Sequence, residues 1–133
     1  MVKLGQKSEK FRKISESDVR QFSKISGDYN PIHLDEEVAS KSFFGKRIVH
    51  GMFGASLISS VISNDLPGEG SIYISQNLNF IRPIYVGDTV LTSVEVIGAH
   101  GRRIVLKTIC SVGGKTVIDG EAVVSVLEDL HED

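Results

Sequence analysis

The chain has 133 residues, the span of a single domain that can bury a core of its own but not hold two. Fifteen basic against 17 acidic side chains give a formal net charge of -2, without the basic excess that a nucleic-acid or membrane-surface binder carries. One cysteine, Cys110, excludes an intrachain disulfide and a cysteine-built zinc site, and fits a reducing, cytoplasmic location. The segment 1–14 carries charge but no apolar core of signal-peptide length, so export is not expected. The longest apolar stretch, Ile48 to Ile62, is interrupted by His50, Ser56, Ser59 and Ser60 and falls short of the roughly 20 residues of a membrane helix.

In chain order, Lys7 to Ile14 reads as a short strand. Ser15 with Asp18 resembles a capping box, and Val19, Phe22 and Ile25 follow at helical spacing, which predicts a helix over about 16–26. Gly27, Asp28, Asn30 and Pro31 then break the pattern, and residues 27–33 are expected to form a defined loop. Asp35 is a plausible N-cap for a short helix to about Ser42, with Glu36 and Glu37 in its first turn. From Gly51 to Ser63 apolar and small residues occupy nearly every side of a helix, which predicts a buried one. Leu66-Pro67-Gly68 ends it.

Beyond Ser71 the period changes to two. Ile72, Ile74, Leu78 and Phe80, then Val90, Val94 and Val96, then Ile104, Leu106 and Cys110 mark strands, and a last strand is expected to about Leu127. Gly113-Gly114 signals a two-residue hairpin, and 81–88 and 98–102 are the remaining turns. Helices followed by antiparallel strands describe an α+β fold in which a sheet is covered by the apolar helix.

Of four histidines, His100 lies in a glycine-flanked turn and His131 in an acidic tail, and both read as solvated. His33 and His50 sit instead at loop-to-helix junctions. Ser26-Gly27-Asp28-Tyr29-Asn30-Pro31-Ile32-His33 sets a carboxylate and an imidazole across a proline-stiffened turn that can aim both at one point. This run, with Ala39 six residues on, resembles the signature of the MaoC-like, (R)-specific enoyl-CoA hydratase family. Ile48-Val49-His50-Gly51-Met52, Gly70-Ser71-Ile72-Tyr73, Phe80-Ile81-Arg82-Pro83 with Val86-Gly87-Asp88, and Gly120-Glu121-Ala122 are similar to further family landmarks in the same order, so the resemblance runs from about Phe11 to Val126.

The resemblance implies a hot-dog fold over the whole chain, an antiparallel sheet wrapped round one long apolar helix, and at least a homodimer. It implies addition of water to a 2-enoyl-CoA thioester, giving an (R)-3-hydroxyacyl-CoA with no cofactor. Hydration needs a base to sharpen the water, an acid for C2 and a donor for the enolate-like thioester oxygen. On the family pattern Asp28 is the main base, His33 its partner and proton relay, and the backbone N–H of Gly51 the oxyanion donor. Asn30, Ser59, Ile62 and Val123 are pocket residues on the same ground. Asp28 would need partial desolvation by protein and acyl chain to act as a base near neutrality.

Other readings compete for the same residues. A carrier-protein 3-hydroxyacyl dehydratase, a non-catalytic acyl-CoA-binding module and a thioesterase are all open on such a fold. A metal site from Asp28, His33, Asp35 and His50 matches no usual zinc spacing, and none is predicted. Ser56 and Ser59 lack a nucleophile elbow, and serines on a buried helix usually bond their own backbone. His50 reads as structural support for the Gly51 turn, Cys110 as core, and Arg82, Arg102 and Arg103 as solvated more readily than as coenzyme A contacts.

Overall fold

A computed structural model describes residues 2–127, so His131 lies outside the described residues. The elements run β1 (Lys7–Lys13), α1 (Glu16–Ser26), α2 (Pro31–Leu34), α3 (Glu36–Ser40), α4 (Gly51–Asn64), β2 (Ile72–Phe80), β3 (Thr89–His100), β4 (Arg103–Val112) and β5 (Lys115–Ser125). The five strands form one sheet in the order β1-β3-β4-β5-β2, every neighbouring pair antiparallel. The core lies between its inner face and α4: Phe53, Leu57, Ile58, Val61 and Ile62 pack on Val94, Val96, Ile104, Leu106, Ile118 and Val124. Helix on sheet is the α+β arrangement that the residue pattern predicts and the hot-dog fold that the resemblance implies. No helix among the described residues is long and apolar enough to cross a membrane.

Local chemistry explains the element ends. Ser15 Oγ accepts the Asp18 amide and the Asp18 carboxylate accepts the Ser15 amide, a reciprocal cap at the head of α1. Gly27 closes that helix at φ 78°, a left-handed conformation that a side chain would strain. Gly113 and Gly114 take φ 57° and 80°, the paired positive values that a tight hairpin between β4 and β5 demands.

Four expectations need correction. The loop predicted over 27–33 becomes helical at Pro31, because Asn30 Oδ1 accepts the Ile32 amide as an N-cap and proline suits the first helical position. Residues 98–102 are not all turn: β3 runs on to His100, and the glycine at 98 instead marks a register shift within the strand pair. The expected inward set on β2 is not continuous, since the register shifts between Tyr73 and Ser75 and Ile72, Ile74 and Phe80 are exposed along a sheet edge. Finally, α4 is not enclosed on all sides. Phe53, Gly54, Leu57, Ile58, Val61 and Ile62 face the sheet, whereas Met52 and Ser56 are exposed and Ala55 and Ser59 half-buried.

Candidate active site

The turn that carries Asp28 is held at every polar atom named here. Its amide donates to Ser26 Oγ at 3.1 Å, and its Oδ1 accepts the Asn30 amide at 3.1 Å, the side-chain-closed turn that Asp favours. Its carbonyl oxygen lies 3.2 Å from His50 Nε2. Asp28 itself is exposed in the single chain, so the desolvation expected of it is not supplied by this protomer's own fold.

Two residues into α2, His33 is buried at 7% exposure. Its Nδ1 lies 2.7 Å from the Ile48 carbonyl, which can only accept, so Nδ1 carries a proton, and in the neutral ring Nε2 keeps its lone pair. His50, the residue before α4, is 2% exposed; its ring stacks on His33 with centroids 3.9 Å apart and planes 28° apart. Its Nε2 is also 2.9 Å from Ser23 Oγ, while its Nδ1 is buried without a partner. Burial first, and the neighbouring His33 second, push the His50 imidazole below its ordinary value, which favours the neutral ring.

Asp28, His33 and His50 each bring one potential ligand atom to within 4.8 Å of the others. Stacking argues against a shared metal: lone pairs lie in the ring planes, and planes 28° apart at 3.9 Å separation do not meet within the roughly 2.0–2.1 Å reach of a metal–imidazole bond. The arrangement suits proton traffic instead.

Gly51 opens α4, where the first amides have no partner within the helix and the dipole favours negative charge. It borders a cleft of about 300 Å³ lined by Phe44, Ile48, Phe80, Ile81, Arg82 and Pro83. A Cβ at position 51 would lie 2.9 Å from the ring of the exposed Phe80, which would have to shift to admit it.

The pocket residues divide. Ser59 lines a second groove of about 430 Å³ between α4 and β2, with Met52, Ala55, Ser56, Tyr73, Gln76 and Leu78. Tyr73 donates to Gln76 Oε1 at 2.9 Å, and burial pushes its hydroxyl up to about 12. Ile62, expected in the pocket, is packed in the core at 2% exposure. Val123, also expected there, falls between inward-facing Ala122 and Val124 and so points to the other face of the sheet. Asn30 is exposed, with its side chain engaged as the cap of α2. Ser56 Oγ donates to the Phe53 carbonyl at 2.6 Å, the backbone bond expected of a serine on such a helix.

Sequence reasoning missed the contribution of His50 to the Asp28 turn; the available signal was its place immediately before Gly51. It also missed Arg47, which joins Glu16 at the head of α1 to Glu36 in α3. Nothing in the spacing of Arg47 pointed to that bridge.

A sheet wrapped on a central helix, with an aspartate and a histidine brought together near that helix's head, is the fold and site that the resemblance implies. The chain belongs to the MaoC like domain family, whose model matches residues 2–121. It is 50% identical over 117 residues to a 3-hydroxybutyryl-CoA dehydratase of Methylorubrum extorquens, covering 86% of this chain and 74% of that protein. It is 43% identical over 127 residues to an (R)-specific enoyl-CoA hydratase of Rhodospirillum rubrum, covering 94% and 88%. Among solved structures, the (R)-hydratase from A. caviae involved in PHA biosynthesis superposes with a TM-score of 0.92 at 39% identity, over 94% of this chain and 97% of that one.

Proposed function

We propose that the protein is an (R)-specific 2-enoyl-CoA hydratase, reversibly adding water to a trans-2-enoyl-CoA to give the (R)-3-hydroxyacyl-CoA. The observation that carries this reading is the convergence of Asp28 and His33 with His50, the residue before Gly51 at the head of α4, in a chain whose hydratase relative aligns over nearly its whole length. The Asp28 carboxylate and the bare Nε2 of His33 are both acceptors. One water can donate a hydrogen bond to each, which turns its lone pair toward C3. As the C3–O bond forms, the water proton passes to the pair and the double-bond electrons move to C2 and the thioester oxygen. The Gly51 N–H holds that oxygen, and the proton is returned to C2, which restores both side chains. No cofactor enters this balance.

Dehydration is the same path reversed, consistent with the name of the Methylorubrum relative. The groove beside Ser59 takes the acyl chain in this reading, with Met52, Leu78 and Tyr73 as apolar walls. A homodimer belongs to the proposal: Met52, Ile72, Ile74 and Phe80 are exposed on or beside the β2 edge, where a second copy would cover both the apolar strip and the open edge. A cytoplasmic location fits the lone, buried Cys110 thiol.

The test is purified protein with crotonyl-CoA, following loss of the conjugated thioester's ultraviolet absorbance while free thiol is measured in parallel. Hydration whose product is oxidised by an (R)-specific but not an (S)-specific 3-hydroxyacyl-CoA dehydrogenase is the expected result. Thiol release without hydration, activity confined to carrier-protein thioesters, or no turnover of either would overturn it.

A further inference from the structure

His50 stands at the N-cap position of α4 yet makes no side-chain cap there. Its polar edge is directed across the fold instead, to Ser23 Oγ on α1 at 2.9 Å and to the Asp28 carbonyl at 3.2 Å. The ring is wedged between His33 at 3.9 Å and Phe22 at 4.9 Å. A backbone carbonyl only accepts, so a hydrogen bond here puts the hydrogen on Nε2, shared between the Asp28 carbonyl and the nearer Ser23 Oγ, and Nδ1 then keeps a buried lone pair that no group among the described residues satisfies. An apolar ring would fill the same space without the desolvation cost of that nitrogen. The feature that an apolar ring lacks is the Nε2–H.

We propose that His50 is a positioning residue: its Nε2–H clamps the carbonyl of Asp28 and so fixes the turn that aims the Asp28 carboxylate, while its ring is the plate on which His33 lies. Gly27, at a left-handed φ of 78°, gives that turn a helix end on one side, and Asn30 begins the next helix on the other. The clamp ties the middle of the turn to the head of α4, the element that also presents the Gly51 amide. Base, relay and oxyanion donor are thereby held in one frame by a residue that touches no reacting atom. A neutral ring suits the task, since a second cation stacked on His33 would oppose its taking a proton, and burial disfavours the charged form of His50.

The inference rests on the hydration reading, but its first test does not. In protein labelled with ¹⁵N-histidine, long-range ¹H–¹⁵N correlation at neutral pH should show His50 protonated at Nε2 and bare at Nδ1; the opposite tautomer overturns the clamp whether or not crotonyl-CoA is turned over. The second test pairs His50→Phe, which keeps the plate and removes the donor, with His50→Gln, whose amide nitrogen reaches the Nε2 position. Displacing Asp28 should lower kcat of the Phe variant by about 10- to 100-fold with KM little changed. Gln should restore most of the loss. Parental kcat in the Phe variant, or equal losses in both that follow their Tm, would overturn the proposal.

Discussion

Replacing His33 by asparagine separates what its ring holds from what its ring does. Asparagine carries an N–H donor where histidine has Nδ1, so the 2.7 Å bond to the Ile48 carbonyl can be kept while Nε2 is deleted. Loss of one acid–base group costs about 10²- to 10⁴-fold in rate, or about 3–5 kcal/mol of transition-state stabilisation. His33→Ala deletes the donor as well and leaves the Ile48 carbonyl without it, a further cost in folding stability of about 1–3 kcal/mol. For a chain of this size each kcal/mol lowers Tm by about 3–5 °C.

The two variants should therefore share a loss of kcat/KM on crotonyl-CoA but differ in Tm, Asn above Ala. A catalyst leaves the equilibrium unmoved, so kcat/KM for dehydration of the 3-hydroxyacyl-CoA must fall by the same factor as for hydration. An Asn variant within tenfold of the parent in kcat/KM would refute an acid–base role for Nε2.

Asp28→Asn keeps an oxygen to accept the Asn30 amide and removes only the charge, so kcat should fall by about 10²-fold or more with Tm held, measured by the same absorbance assay and by thermal unfolding. Gly51→Pro deletes the oxyanion donor at a helix position that tolerates proline, and Gly51→Ala reproduces the contact with Phe80; Pro should lose about 10²- to 10³-fold in kcat beyond Ala, and equal losses would remove the amide from the mechanism. Hydrogen bonds from Arg47, then Arg20, lower Glu16 from 4.5 to about 2. A carboxylate lowered in the folded state adds stability that is present above its unfolded value and lost as pH falls through the folded one. Arg47→Met should therefore lower Tm above about pH 4.5 and converge on the parent toward pH 2, with a small amplitude because Glu16 is exposed and water screens the pair; a pH-independent difference would refute the assignment.

Legibility followed how local each feature is. The Ser15–Asp18 cap and the Gly113-Gly114 hairpin are completed by neighbours in sequence, and both stand where the residues put them. Asn30-Pro31 was ambiguous, because the pair that breaks one helix can also begin the next. Ser59 and Ile62 are three residues apart on α4, yet one borders the groove and the other the sheet, a division set by where β2 lies. Val123 falls to plain alternation, since its neighbours Ala122 and Val124 are both inward. Along β2 the period could show apolar residues but not which surface would cover them, and a register shift breaks the pattern where it mattered.

The candidate site shows the same gradient in sharper form. Asp28 and His33 were legible because one stiff turn holds both, whereas the work assigned to His50 depends on α1, the turn and α4 meeting at a single nitrogen. The backbone groups of the candidate site lie outside or at the very start of the helices: the carbonyls of Asp28 and Ile48 in the loops before α2 and α4, and the amide of Gly51 in the first turn of α4. Side chains that satisfy the first two are thereby locked in orientation, and the third is left for the substrate. The groove proposed for the acyl chain is lined by Met52 and Ala55 on α4 and Leu78 on β2, apart from these groups. In that proposal its apolar walls can change size without touching the hydrogen bonds from His33 and His50, so acyl-chain preference and the Asp28–His33 chemistry would vary independently.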